Sequence, residues 1–227
     1  MTRTLRKSLC VAVVVSVVAA STAVAATITG TNRDDTLVGT ASADRIKALA
    51  GNDKVFGLAG NDSVSGGDGI DLIYGDGSCP HGSADASYCS TEETAKDGND
   101  TLDGDDGADF LFGQGGADKL DGGAGPNLID GGSGNDKLTG GDDGNILLGG
   151  PGDDTIAGGQ RSDVVDGGSG RDTISTAGHN DRIFARDGAK DTIDCGSGSD
   201  TVSADKGLDV LKSCEHVNWG SSGWSSR

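Results

Sequence analysis

Along most of this 227-residue chain one aliphatic residue returns every nine positions, and no polar residue enters the series. The series reads Leu37, Ile46, Val55, Val64, Ile73, Leu102, Leu111, Leu120, Ile129, Leu138, Leu147, Ile156, Val165, Ile174, Ile183, Ile193, Val202 and Leu211. Each aliphatic lies between two outward neighbours and follows six positions rich in Gly that end in Asp. The stretch Gly131-Gly132-Ser133-Gly134-Asn135-Asp136-Lys137-Leu138-Thr139 shows the unit in full. Repeats start at 30, 39, 48, 57 and 66, break off from Gly75 to Thr94, and resume at 95. They hold phase to 176, where one extra residue, assigned to Ala185, shifts the last starts to 186, 195 and 204; the total is 18 repeats.

One inward aliphatic between outward neighbours is the period-two signature of a short strand. The Gly- and Asp-rich residues before it are turn chemistry, because Gly tolerates the positive φ that bulkier side chains resist. Alternating turn and strand predicts an all-β solenoid of two parallel sheets, with two repeats, or 18 residues, per coil. Nine such coils would form a rod about 43 Å long at the spacing of neighbouring strands. The expected organisation is a leader over residues 1–26, the solenoid over 27–212 with a side loop at 75–94, and a C-terminal cap or tail over 213–227.

Composition changes this picture in two respects. The chain has 41 Gly but only four Phe and two Trp, so the core is a thin aliphatic stack; without the strict phase such a composition would read as disorder. The net charge is -18, a balance that repels nucleic acid and anionic membrane, and repels itself unless cations intervene. Arg3, Arg6 and Lys7, the apolar run Leu9 to Ala20 and the small residues Ala23-Val24-Ala25 form a signal peptide pattern, with cleavage expected after Ala25 or Ala26. A membrane anchor is the competing reading, but the run is shorter than the ~20 apolar residues a spanning helix requires. The mature chain is expected to be secreted, without membrane insertion, into an oxidising, calcium-rich space.

The acidic position of the repeat holds Asp35, Asp44, Asp53, Asp62, Asp71, Asp100, Asp109, Asp118, Asp136, Asp154, Asp163, Asp172, Asp181, Asp191, Asp200 and Asp209. Asn127 and Asn145 are the two exceptions. Coiling stacks these carboxylates in two columns, one along each edge, with neighbours one strand spacing apart. Like charges that close need counterions. A hard divalent cation, held by carboxylate oxygens and by carbonyls of Gly-rich turns, fits calcium best.

With these residues in place the chain resembles the calcium-binding nonapeptide repeats of hemolysin-type, or RTX, proteins, most closely at 66–74, 131–139, 149–157 and 167–175. The resemblance implies a parallel β-roll with calcium ions between successive turns, each of the sixteen aspartates acting as a ligand and turn carbonyls supplying the rest. Arg33, Ser42, Asp143, Arg161, His179 and Ala189 depart from the second-half glycine, and sites there are expected to be weaker. Asn127 and Asn145 fall on one edge and predict a weak stretch in its column. The N-terminal leader also departs from the family's usual C-terminal export signal.

Four cysteines follow the leader. Cys195 and Cys214 are 19 apart, one coil plus one residue, which places their Cα atoms roughly 5.8 Å apart, within disulfide reach. Cys79 and Cys89 both lie in the interruption and would staple it, with zinc held by Cys79, His81 and Cys89 as the alternative.

The outward neighbours sort by alternate repeat. One set is polar; the other carries Phe56, Tyr74, Phe110, Phe112, Leu128, Ile146, Leu148, Val164 and Phe184, a candidate face for a protein partner or self-association. This requires the interruption to preserve sheet parity, and Trp219, Trp224 or the loop could instead cover the face. No serine elbow, phosphate loop or paired-histidine helix is present, so no enzymatic role is expected. An ice-binding array would need Thr36, Thr101, Thr155, Thr173, Thr192 and Thr201 on one flat face.

Overall fold

The computed structural model describes residues 24–76 and 97–219. Within these residues twenty short strands alternate between two parallel sheets of ten strands each. One runs from β1 (Thr27–Thr29) through the odd-numbered strands to β19 (Val210–Lys212); the other runs from β2 (Thr36–Val38) through the even-numbered strands to β20 (His216–Trp219). Among the described residues there is no helix. The chain is a two-sheet parallel β-solenoid, a β-roll.

Each strand places its middle residue inward. Leu102, Leu111, Leu120, Ile129, Leu138 and Leu147 are fully buried, and the same column runs from Ile28 to Val202 as one aliphatic stack. Pairing is in register one coil apart, as in Leu128 with Ile146 and Ile129 with Leu147. A one-residue slip would turn the whole column outward, so the period of the aliphatics dictates the register.

Four features differ from the sequence expectation. Each sheet holds ten strands rather than nine, because β1 and β20 extend the roll at its two ends. Neither follows a six-residue Gly-Asp turn: β1 precedes the first, and only Ser213, Cys214 and Glu215 separate Lys212 from His216. The interruption is also displaced two residues from 75–94. Gly75 and Asp76 belong to β6 (Leu72–Asp76), with Asp76 in register with Leu58. Ser63 pairs with Thr101, so the residues between Asp76 and Asp97 are an insertion into one turn and the sheets keep alternating across it. Cys79, Cys89 and His81 lie outside the described residues.

Ala185, thirdly, is not the extra residue. It is buried and pairs with Ala204 as the last residue of β16 (Arg182–Ala185), so the surplus falls in the exposed stretch that follows, around Gly188. Lastly, the apolar outward positions do lie on the even-numbered sheet but form two unequal columns. Leu72, Phe110, Leu128, Ile146 and Val164 run unbroken. In the other column Asp130 and Asp166 interrupt Phe112, Leu148 and Phe184. Thr36 and Thr201 lie on the even sheet while Thr101, Thr155, Thr173 and Thr192 lie on the odd one, so those threonines share no single face.

Candidate metal centre

The repeat aspartates form two hydrogen-bonded ladders. Along one edge the N–H of Asp62 donates to Oδ1 of Asp100 (2.7 Å), Asp100 to Asp118 (2.7 Å), Asp118 to Asp136 (2.8 Å) and Asp136 to Asp154 (2.8 Å). Asp154, Asp172 and Asp191 continue it to Asp209. Along the other, Asp35, Asp53, Asp71 and Asp109 lead through Asn127 and Asn145 to Asp163, Asp181 and Asp200. At its end Asp200 donates instead to Glu215 Oε2 at 3.1 Å. Glu215 precedes His216 as Asp200 precedes Thr201, so it stands where the next ladder aspartate would.

The ladder uses one carboxylate oxygen and strands the other. Among the described residues, thirteen aspartates from Asp53 to Asp200 bury an Oδ2 without a hydrogen-bond partner. That oxygen points into its own turn, toward the first glycine. A methyl group on Gly131 would lie 2.6 Å from Asp136 Oδ2 and 2.8 Å from the carbonyl oxygen of Gly149 on the next coil. An unpaired buried carboxylate oxygen facing carbonyl oxygens is strongly unfavourable without a positive partner. At the roll's ends the turn supplies that partner: Asp35 Oδ2 accepts from Thr31, Asp44 Oδ2 from the N–H of Thr40, and Asp209 Oδ2 from the N–H of Asp205.

Burial pushes the carboxyls with a stranded Oδ2 upward, with the charge of neighbouring aspartates adding to the effect for most of them. Asp62, Asp100, Asp109, Asp118 and Asp191 rise to about 7, and Asp53, Asp154, Asp163 and Asp172 to about 6, in each case chiefly through loss of water.

No group of three or more His, Cys, Asp or Glu side chains converges among the described residues. A cation in these turns would therefore take one or two carboxylate oxygens and complete its shell with turn carbonyls. This donor set, all oxygen and mostly uncharged, fits calcium and suits soft metals poorly.

The periodicity overlooks one further carboxylate. Asp76 is buried, accepts from the N–H of Gly98 with both oxygens (3.0 and 3.1 Å), and is pushed up to about 8 by burial and by Asp100, Asp97 and Asp118. The signal was present in Gly75-Asp76, the opening of a repeat whose remainder follows the insertion. Gly75 faces Asp100 Oδ2 as Gly131 faces that of Asp136.

At the C-terminal end Cys195 and Cys214 form a disulfide with Cα atoms 5.2 Å apart. Cys195 is fully buried in the core stack, where most other repeats have glycine. On the even sheet Phe56, Tyr74 and Phe112 stack ring on ring at 5.4 and 5.0 Å, and Tyr74 is buried between its neighbours. Phe110, Ile146 and Val164 remain exposed.

The model of the RTX calcium-binding nonapeptide repeat matches six stretches of the chain: 29–64, 56–78, 94–129, 121–156, 157–189 and 190–211. The chain belongs to this family of calcium-binding repeat proteins. A comparison with curated proteins finds no match for it.

Proposed function

We propose that the protein is an exported calcium-binding β-roll whose folding is coupled to calcium. The observation that carries this reading is the set of buried Oδ2 atoms without partners. Calcium supplies the positive charge those oxygens lack and draws the carbonyls of adjacent turns together. The chain's own residues do the rest: the Oδ1 ladder fixes the spacing of the carboxylates, the first glycines leave room beside each Oδ2, and the aliphatic column excludes water behind them. Sites Asp35 to Asp209 are read as ligand positions, with Asp35, Asp44 and Asp209 weaker because their turns already satisfy Oδ2.

Extracellular calcium modules bind at ~0.1 to 1 mM, so the chain would stay unfolded before export and fold outside. The Cys195–Cys214 disulfide suits an oxidising compartment. The role is read as structural rather than catalytic. The test is far-UV circular dichroism of the mature chain with millimolar calcium and with excess chelator. A β signal that appears only with calcium supports the coupling; the same signal in chelator removes it.

A second reading rests on the exposed column Phe110, Ile146 and Val164: a calcium-stiffened adhesin or assembly module that binds through this face. Replacing Phe110 and Ile146 by Ser should then abolish calcium-dependent self-association or surface retention. No change in either would remove the reading.

A further inference from the structure

We propose that the turns ending in Asn127 and Asn145 hold no cation, because the asparagine amide nitrogen takes the cation's place. The inference rests on the calcium-binding reading above and adds that the two edges of the roll are chemically unequal.

The ladder forces the orientation of each asparagine. Oδ1 of Asn127 accepts from the N–H of Asp109 at 2.8 Å, and Oδ1 of Asn145 from the N–H of Asn127 at 2.9 Å. The atom left to point into the turn is therefore Nδ2. It lies where Oδ2 lies elsewhere: a methyl group on Gly122 would be 2.5 Å from Asn127 Nδ2, against 2.6 Å between the same position on Gly131 and Asp136 Oδ2.

There the nitrogen finds acceptors. Asn127 Nδ2 donates to the carbonyls of Gly125 (2.9 Å) and Gly140 (3.3 Å). Asn145 Nδ2 donates to those of Asp143 (2.6 Å) and Gly141 (3.3 Å). In an aspartate turn such as that of Asp136 an oxygen takes this position beside the next coil's carbonyl, and a cation between them would satisfy both. In these two turns a neutral NH2 group already donates to the carbonyls, and a calcium ion would have to displace that group and its hydrogen bonds.

The surrounding side chains reinforce the division. Asp143, Arg161 and His179 stand in successive coils of this edge where a glycine is usual; Asp143 pairs with Arg161 at 3.5 Å and accepts from the N–H of Gly125 at 3.0 Å. The opposite edge has Gly116, Gly134, Gly152 and Gly170 at the corresponding positions, all with positive φ. One edge thus carries an uninterrupted run of partnerless Oδ2 atoms from Asp62 to Asp191. On the other, the run stops at Asp109 and restarts at Asp163.

The experiment is the number of calcium ions bound per full-length mature chain at saturating calcium, for wild type and for Asn127→Asp, Asn145→Asp and the double variant. Each substitution should raise the count by up to one, with the β signal unchanged. An unchanged count in folded variants overturns the inference. If the variants do not fold, the side-chain amide protons of Asn127 and Asn145 in the wild-type chain decide. Slow exchange in the calcium-loaded roll is expected, and exchange as fast as that of a surface amide overturns the proposal. A wild-type chain that binds no calcium would defeat the functional reading instead, while the amide exchange would still report on these two turns.

Discussion

The backbone N–H of Asp136 donates to Oδ1 of Asp154, one coil further on, at 2.8 Å, and the Oδ2 of each residue is left buried and without a partner. One side chain thus has two separable functions. Oδ1 builds the ladder that sets the coil spacing, and Oδ2 creates the demand for a cation. Substitutions at Asp136 distinguish them.

Asp136→Asn keeps the ladder acceptor and replaces the stranded oxygen by a donor. It should lower the calcium count and leave the fold less sensitive to chelator, as isothermal titration and chelator-dependent melting would show. Asp136→Ala also removes the acceptor for the Asp118 N–H. A buried N–H left unpaired costs about 1–3 kcal/mol, so this variant should melt below Asp136→Asn at every calcium concentration.

A pH effect of definite sign follows from the buried carboxyls. Asp62, Asp100, Asp109, Asp118 and Asp191 stand at about 7 in the fold, against ~4 for aspartate in an unfolded chain. Between those values the folded state holds more protons than the unfolded one. Metal-free stability is therefore greatest below about pH 4 and falls as pH rises toward 7. Circular dichroism in chelator should show more β signal at pH 5 than at pH 8, and calcium should reverse the order because it competes with those protons.

Glycine is required for different reasons at different places. At Gly134, φ is 133° and an added Cβ would overlap the backbone carbonyl of Gly116 on the preceding coil. Gly134→Ala should prevent that pair of coils from closing and lower the melting temperature severely. Gly188 also has positive φ, 93°, but nothing lies within 4 Å of an added Cβ. Gly188→Ala should cost only the conformational preference, about 1–2 kcal/mol.

The final coil depends on a covalent staple and a substitute carboxylate. Cys214 bonds Cys195, and Glu215 accepts from the N–H of Asp200. A disulfide closing a loop of this length contributes about 3 kcal/mol. Reduction should speed hydrogen exchange at His216 to Trp219 while leaving the amides near Leu138 protected. Unchanged exchange at both places after complete reduction would show that the aliphatic stack alone holds β20.

The aliphatic column was legible in the sequence because one buried position per strand tolerates a single kind of residue; sheet parity across the insertion was a condition of the apolar-face reading, and the pairing of Ser63 with Thr101 meets it. The ends were not. β1 and β20 lack the complete turn that marks a repeat, and only pairing with Arg45–Lys47 and with Thr201–Ala204 makes them strands. Ala185 and Asp76 escape a phase counted backward from the aspartate, because the coil holds the last residues of each strand in register and absorbs surplus later in the turn. The amide nitrogens of Asn127 and Asn145 could not be oriented from sequence, since the ladder that orients them appears only once the coils are stacked.

The most direct test of the central claim is a calcium titration of the mature, oxidised chain, following far-UV circular dichroism and bound calcium together. The account predicts that β signal and bound calcium rise together over the millimolar range and that excess chelator abolishes both. Full β signal at neutral pH in metal-free buffer, with calcium binding afterwards or not at all, would contradict it.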